Sequence, residues 1–72
     1  MPKLPQVKPK ETIKALERLG FYLVRQKGSH AQFKKGNLLV TVPVHSRDLH
    51  PETLRSILRQ ARIGAEEFLK VV

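Results

Sequence analysis

Two short glycine-led turns constrain this chain more than any other feature. Gly28-Ser29 and Gly36-Asn37 are separated by six residues, His30 to Lys35, that alternate in character. Ala31 and Phe33 fall on one side of this segment, and polar residues fall on the other. The spacing predicts a central β-strand between two tight turns, as in an antiparallel sheet.

The segments on either side of this strand are rich in aliphatic and aromatic residues. They predict one strand from Phe21 to about Lys27 and another from Leu38 to Val44. A two-residue loop at Gly36-Asn37 then sets the register. The predicted pairs are Lys35–Leu38, Lys34–Leu39, Phe33–Val40, Gln32–Thr41, Ala31–Val42 and His30–Pro43. In this register the apolar pairs share one face, and His30 lies on the opposite, polar face.

Helical periodicity flanks the predicted sheet on both sides. The first helix is predicted to begin at Pro9, after an irregular arm over residues 1–8, and to end at Gly20. Its apolar face is formed by Ile13, Ala15, Leu16 and Leu19. The second helix begins near Pro51, and Gly64 ends or kinks it before one more short turn. Its apolar stripe is formed by Leu54, Ile57, Leu58 and Ala61.

Together these elements predict a single α+β domain over residues 1–72, in the order α-β-β-β-α. The three strands form an antiparallel sheet, and both helices cover one of its faces. The other face of the sheet is then open to a ligand. Because the chain has no cysteine, it has no disulfide, thiolate nucleophile or zinc finger. A domain this small without such cross-links is marginally stable alone, and the sequence leaves open whether it self-associates.

The charge balance points to a polyanionic partner. The chain has 14 Lys and Arg against 6 Asp and Glu, a formal net charge of +8. Such a surface suits nucleic acid, an anionic membrane or an acidic protein. Since no stretch resembles a membrane span or a secretory signal, we expect a cytoplasmic protein that does not bind membranes.

A row of arginines lies opposite the apolar stripe of the second predicted helix. Arg55, Arg59 and Arg62 are spaced so that like charges meet, which disfavours the helix by about 0.2–0.5 kcal/mol for each pair. Binding of RNA phosphate would offset that cost, so Arg55 and Arg59 are candidate phosphate ligands. A solvated helix face is the alternative explanation.

His30 is the candidate catalytic residue. It follows a Gly-Ser turn whose backbone N–H groups can meet an anion, and imidazole is suited to proton transfer near neutral pH. RNA carries its own nucleophile, the 2′-hydroxyl, so one histidine with nearby cations could cleave it without a metal or cofactor. The residues expected to bind RNA phosphate or shape this site are Lys27, Gly28, Ser29, Lys34 and Lys35.

The other two histidines are weaker candidates. His45 shares the face of His30 if the pairing continues past Pro43, and it is then a possible second proton carrier. A loop histidine that contacts local backbone is the alternative. His50 has the position of a helix-entry residue. The spacing of the three histidines matches no familiar metal site.

These residues together resemble the HicA family of toxins. The resemblance runs from about residue 10 to residue 69 and rests on Leu16 to Phe21, Gly28-Ser29-His30 with Phe33, Val42-Pro43-Val44-His45, Leu54, Ile57, Leu58 and Glu67-Phe68. It implies a fold like the double-stranded-RNA-binding domain and an endoribonuclease that cleaves mRNA, with His30 catalytic. It also implies a HicB-type antitoxin that covers the active site. The chain departs from the family at Leu49 to Glu52, where the helix entry is usually rich in Lys and Gly.

The same residues are compatible with two other functions. A non-catalytic RNA-binding module would use His30 only for stacking or hydrogen bonding. An adaptor for an acidic protein would not retain RNA at all.

Overall fold

The computed structural model describes residues 4–45 and 47–72 as an α+β fold with three strands and three helices. The elements in chain order are α1 (Pro9–Arg18), β1 (Tyr22–Lys27), β2 (His30–Lys35), β3 (Leu38–Pro43), α2 (Pro51–Ala61) and α3 (Ala65–Val71). The sheet has the order β1-β2-β3, and both pairs are antiparallel. This confirms the predicted α-β-β-β-α order and the layout of a double-stranded-RNA-binding domain. It also adds α3, a seven-residue helix, where the sequence predicted only a short turn.

Both predicted turns form as two-residue connections. Gly28 and Gly36 each have a φ of +58°, while the second residue of each turn has a negative φ. These are the signs of φ in type II′ turns, which favour glycine first. All six predicted pairs between β2 and β3 are observed. β3 ends at Pro43, one residue before the predicted end at Val44.

A β-bulge sets the facing of residues at the start of β1. The strand begins at Tyr22, one residue later than predicted, and its pairing with β2 skips Val24, between Leu23 and Arg25. The bulge shifts the alternation by one residue. The side chains before it therefore lie on the opposite face of the sheet from the one they would occupy in a regular strand. Phe21 is thereby buried in the core, and Tyr22 faces outward.

One hydrophobic core joins the helices to one face of the sheet. The sheet contributes Ala31, Phe33, Val40 and Val42, all buried as their predicted pairing requires. The second helix contributes its whole predicted stripe of Leu54, Ile57, Leu58 and Ala61. Burial of each large apolar side chain in this core contributes about 1.5–3 kcal/mol to stability. The opposite face, where His30 is exposed, is open as predicted.

The first helix ends at the predicted glycine. Gly20 has a φ of +100° and donates its N–H to the carbonyl of Glu17, while Phe21 donates to the carbonyl of Leu16. These two bonds form a Schellman motif, in which a left-handed residue reverses the chain. The motif directs Phe21 from the end of α1 straight into the core.

The second helix ends earlier than predicted. The prediction that Gly64 ends or kinks it is wrong, because α2 ends at Ala61 and Arg62 adopts the left-handed conformation with φ +56°. Ile63 donates its N–H to the carbonyl of Leu58, as in a Schellman motif. Gly64 has a φ of −74° and instead precedes α3 as its N-cap.

The described part of the N-terminal arm is irregular but packed. Residues 4–8 form no helix or strand, yet Val7 is buried, and its carbonyl accepts a hydrogen bond from Leu49 at 2.8 Å. This bond ties the arm to the loop before α2. The first three residues of the predicted arm lie outside the described residues.

Candidate active site

A depression lies on the open face of the sheet, at the β1–β2 turn. Its volume is about 600 Å³, and its lining is Arg25, Lys27, Gly28, Ser29, His30, Gln32 and Thr41. Two permanent cations and one imidazole line it, and no carboxylate does. A concave surface of this composition attracts an anion.

Strand pairing brings the lining residues together. Lys27 pairs with His30 across the turn, and Arg25 pairs with Gln32 one step further along. Thr41 in β3 continues the second row, because it pairs with Gln32. Directly paired residues of an antiparallel sheet share a face, with Cβ atoms roughly 4.5–5.5 Å apart. Lys27 is therefore beside the imidazole, and Arg25 lies in the neighbouring row.

The turn that precedes His30 is fixed from two sides. Gly28 supplies the positive φ that the turn needs, at a conformation that other residues rarely adopt. The carbonyl of Ser29 accepts a hydrogen bond from the N–H of Val44. This bond joins the turn to the residue that follows β3. The backbone on the N-terminal side of His30 is consequently held in place.

The sheet carries basic side chains on β1 and β2 and no acidic ones. Residues 22–43, which span all three strands, contain four Lys and Arg side chains and no Asp or Glu. All 6 acidic residues of the chain lie outside the sheet. An anion at the depression therefore meets cations of the sheet and no carboxylate among the lining residues.

Lys34 is on the face of His30 but at the other end of β2. It is exposed and pairs with Tyr22 in β1 and with Leu39 in β3. It lies four residues along the strand from His30, about 13 Å at the usual rise per residue. It does not line the depression, although a longer ligand on the same face could contact both.

Lys35 points toward the helices instead. Its Nζ donates a hydrogen bond to the carbonyl of Leu19 at 2.7 Å and lies 5.8 Å from the centre of the Phe21 ring. The lysine thus satisfies a carbonyl at the C-terminal end of α1, where a cation is favourable, and makes a cation–π contact. The structure does not bring this predicted phosphate ligand to the depression.

The predicted arginines lie on the other layer of the molecule. Arg55 and Arg59 are exposed on α2, which packs on the core side of the sheet, and neither lines the depression. Arg62 lies beyond the helix end, so it does not continue their row. Gln60 connects this helix to the sheet, because its Oε1 accepts a hydrogen bond from the N–H of Thr41 at 3.2 Å.

Neither of the other histidines lines the depression. Strand pairing ends at Pro43, so His45 does not occupy the paired position that would place it diagonal to His30. His50 caps α2: its Nδ1 accepts a hydrogen bond from the N–H of Glu52 at 3.2 Å, which fits its predicted place at the helix entry. Within residues 4–45 and 47–72, no three His, Cys, Asp or Glu side chains form a metal-ligand cluster.

Arg25 was not among the site residues predicted from the sequence. Its position two residues before Lys27 was the available signal, since residues two apart in a strand share a face. Gln32 and Thr41 were placed on the face of His30 by the register, but not identified as part of a site. All three line the depression.

Comparison with known families gives one match. The model of a family described as HicA toxin of bacterial toxin-antitoxin matches residues 9–63, which run from the start of α1 to just past the end of α2. The matched range contains every residue that lines the depression. No curated protein matches the chain. In the described part of the chain, no helix is long and apolar enough to cross a membrane.

Proposed function

The chain belongs to the HicA toxin family of bacterial toxin–antitoxin systems, and from this premise we propose that it is a metal-independent endoribonuclease that cleaves mRNA. The observation that supports this most is the depression itself. It combines an exposed imidazole with two cations on a surface without carboxylates. Those are the groups that phosphodiester cleavage by the 2′-hydroxyl of RNA requires.

His30 acts as the general base in this reaction. Its imidazole takes the proton from the 2′-hydroxyl next to the scissile phosphate, and the 2′ oxygen forms a bond to phosphorus. The bond from phosphorus to the 5′ oxygen breaks, and that oxygen takes a proton from water in the open depression. The products are a 2′,3′-cyclic phosphate and a 5′-hydroxyl. No metal ion or cofactor enters any of these steps.

Lys27 and Arg25 stabilise the negative charge that builds on the phosphate. Lys27 is paired with His30, so its ammonium can approach the same phosphate that the imidazole serves. The guanidinium of Arg25 can bind two phosphate oxygens at once. The backbone of Gly28 and Ser29 shapes the edge of the site. Lys34 contacts the RNA further along.

A HicB-type antitoxin is the proposed inhibitor. Family membership implies an antitoxin partner, and the depression is the site that such a protein must cover to block RNA. Because the sheet lacks acidic residues, carboxylates of the antitoxin would complement it. The proposed location is the cytoplasm, where mRNA is found.

Cleavage of labelled RNA by the purified protein in EDTA tests this function. We expect shortened fragments with 2′,3′-cyclic phosphate ends from the parent protein. The His30→Ala variant should produce none, with an unchanged circular dichroism spectrum because His30 is exposed. The His45→Ala variant is the matched control, and it should retain activity if His30 works alone.

Other outcomes of this experiment identify other functions. Equal cleavage by the parent and His30→Ala proteins would overturn the proposed mechanism. Salt-dependent RNA binding without fragments would indicate a non-catalytic RNA-binding module. No retention of RNA at low salt would indicate an adaptor for an acidic protein.

A further inference from the structure

The open face of the sheet carries a second feature, at the end away from the depression. Tyr22 pairs with Lys34, and Lys34 pairs with Leu39, so the three form one row across all three strands. We call these residues the Tyr22 row. Both of its apolar members are about half exposed, Tyr22 at 54% and Leu39 at 51%.

Tyr22 differs from every other aromatic residue of the chain. It is the only tyrosine, there is no tryptophan, and the three phenylalanines are buried in the core. The bulge at Val24 is the reason for this division, because it turns Phe21 inward and Tyr22 outward. The bulge thus interrupts the regular strand and leaves the Tyr22 ring on the face of His30.

We propose that the Tyr22 row is a nucleobase subsite, on which a base of single-stranded RNA stacks against the Tyr22 ring. This inference rests on the proposed function only in taking RNA as the substrate that is cut beside His30. The strand of RNA follows β2 from the depression to the row, over about 13 Å. At the roughly 3.4 Å spacing of stacked nucleotides, a strand covers that distance in about four nucleotides.

The charge of the row favours nucleic acid over a protein partner. Lys34 lies at its centre, between the two apolar side chains. The central part of a protein–protein interface is typically depleted of charged residues, and of lysine in particular. A lysine beside an aromatic ring is instead the combination that binds single strands, where the cation contacts a phosphate and the ring stacks on a base.

The substrate must also be unpaired at this position. Bases within a duplex are stacked on each other and leave no free face for an aromatic side chain, whereas bases of loops and single strands do. The Tyr22 row therefore selects a single-stranded region of the message. It would act through binding of the substrate, not through the chemical step at His30.

Intrinsic fluorescence offers a direct test, since Tyr22 is the only tyrosine and the chain has no tryptophan. The probe is a 2′-O-methyl oligonucleotide, which has no 2′-hydroxyl to react. We expect saturable quenching of tyrosine emission by an eight-nucleotide probe and little quenching by a dinucleotide. Free N-acetyltyrosinamide corrects for absorption by the probe. The Arg55→Gln variant, changed on an exposed helix outside the depression, should show the same quenching as the parent.

Kinetics with Tyr22 variants provide the second test. With a long RNA substrate, Tyr22→Ala should raise KM about 5- to 100-fold and leave kcat nearly unchanged, because stacking contributes to binding. Tyr22→Phe keeps the ring and should behave like the parent. A dinucleotide substrate does not reach the row, so all three proteins should cleave it equally.

The outcomes separate this inference from the proposed function. Quenching without any RNA cleavage would support the subsite and overturn the nuclease. Cleavage that depends on His30, with no quenching and no effect of Tyr22→Ala, would support the nuclease and overturn the subsite. Normal RNA binding by Tyr22→Ala, with weakened binding of the cognate antitoxin, would make the row a protein-docking surface and also overturn the subsite.

Discussion

The carbonyl oxygen of Ser29 and the backbone nitrogen of Val44 are joined by a hydrogen bond of 2.5 Å. The bond links the turn before the candidate catalytic histidine to the residue after β3. It continues the contact between β2 and β3 past the last paired residues, His30 and Pro43. The position of His30 thus depends on two strands and the turn, not on the turn alone.

The Val44→Pro variant removes the donor of this bond. Proline has no N–H, and the loss of a buried or half-buried bond costs about 1–3 kcal/mol. We expect kcat for RNA cleavage to fall at least about tenfold, since small displacements of a catalytic group are costly. The matched control is Val44→Ala, which shortens the side chain but keeps the N–H. Equal kcat values for the two variants would show that the bond does not position His30.

Arg25 should be required for cleavage, although it was recognised as a site residue only from its position in the lining of the depression. The Arg25→Gln variant removes the guanidinium beside Lys27, and we expect kcat/KM to fall by about 10- to 100-fold. Arg55→Gln is the control, because it changes the net charge equally on an exposed helix outside the depression. Similar losses in both variants, abolished by added salt, would indicate general charge attraction instead.

Lys35 should contribute to stability and not to catalysis. The Lys35→Met variant keeps an unbranched side chain but loses the hydrogen bond to Leu19 and the cation–π contact with Phe21. We expect the free energy of unfolding to fall by about 0.5–1 kcal/mol, measured by urea denaturation. Cleavage at a temperature where the variant is folded should stay near the parental rate. A loss of cleavage comparable to that of Arg25→Gln would contradict this assignment.

Arg62→Gly should stabilise the protein. Arg62 is the only residue other than glycine with a positive φ in the described chain. A left-handed conformation costs an L-residue about 1–2 kcal/mol, while glycine adopts it readily. Glycine also loses more conformational entropy on folding, so we expect the free energy of unfolding to rise by only about 0.5–1 kcal/mol. Thermal unfolding measures it, and a lower midpoint would mean that the arginine side chain makes a compensating contact.

Gly20→Ala should have the opposite effect. Gly20 has a φ of +100°, and a Cβ at this position would lie 3.2 Å from Cε of Lys35. The variant therefore combines backbone strain with displacement of the lysine that binds the carbonyl of Leu19. We expect a loss of about 1–2 kcal/mol in the free energy of unfolding. Measuring Gly20→Ala in a Lys35→Ala background separates the two causes, because the side-chain atoms that the new Cβ would displace are absent there and only the strain remains.

The parts of the fold that depend on local pattern could be read from the sequence. The two-residue turn at Gly36 leaves one register for β2 and β3, and apolar alternation then selects the buried face. The exposed position of His30 followed from these facts alone. The end of α1 at Gly20 was equally local, because a glycine supplies the left-handed residue of a Schellman motif.

Other features had no comparable local signal. Arg62 ends α2 in the left-handed conformation that glycine normally adopts. The end of the helix was therefore predicted at Gly64, which is instead the N-cap of α3. The bulge at Val24 also has no glycine to mark it. It is explained by the core, which gains Phe21 when the alternation shifts.

The sequence by itself determined the three-stranded sheet, the register of β2 with β3 and the open face on which His30 lies, because turns and alternation act between near neighbours. Lys27 was predicted beside it from the sequence, and only the tertiary structure decided which of the other cations accompany it. Lys35 donates a hydrogen bond to the carbonyl of Leu19 at the end of α1, while Arg25 and Lys27 line the depression. Long side chains of the same charge can reach several partners, and the packing of distant elements decides which partner is in reach.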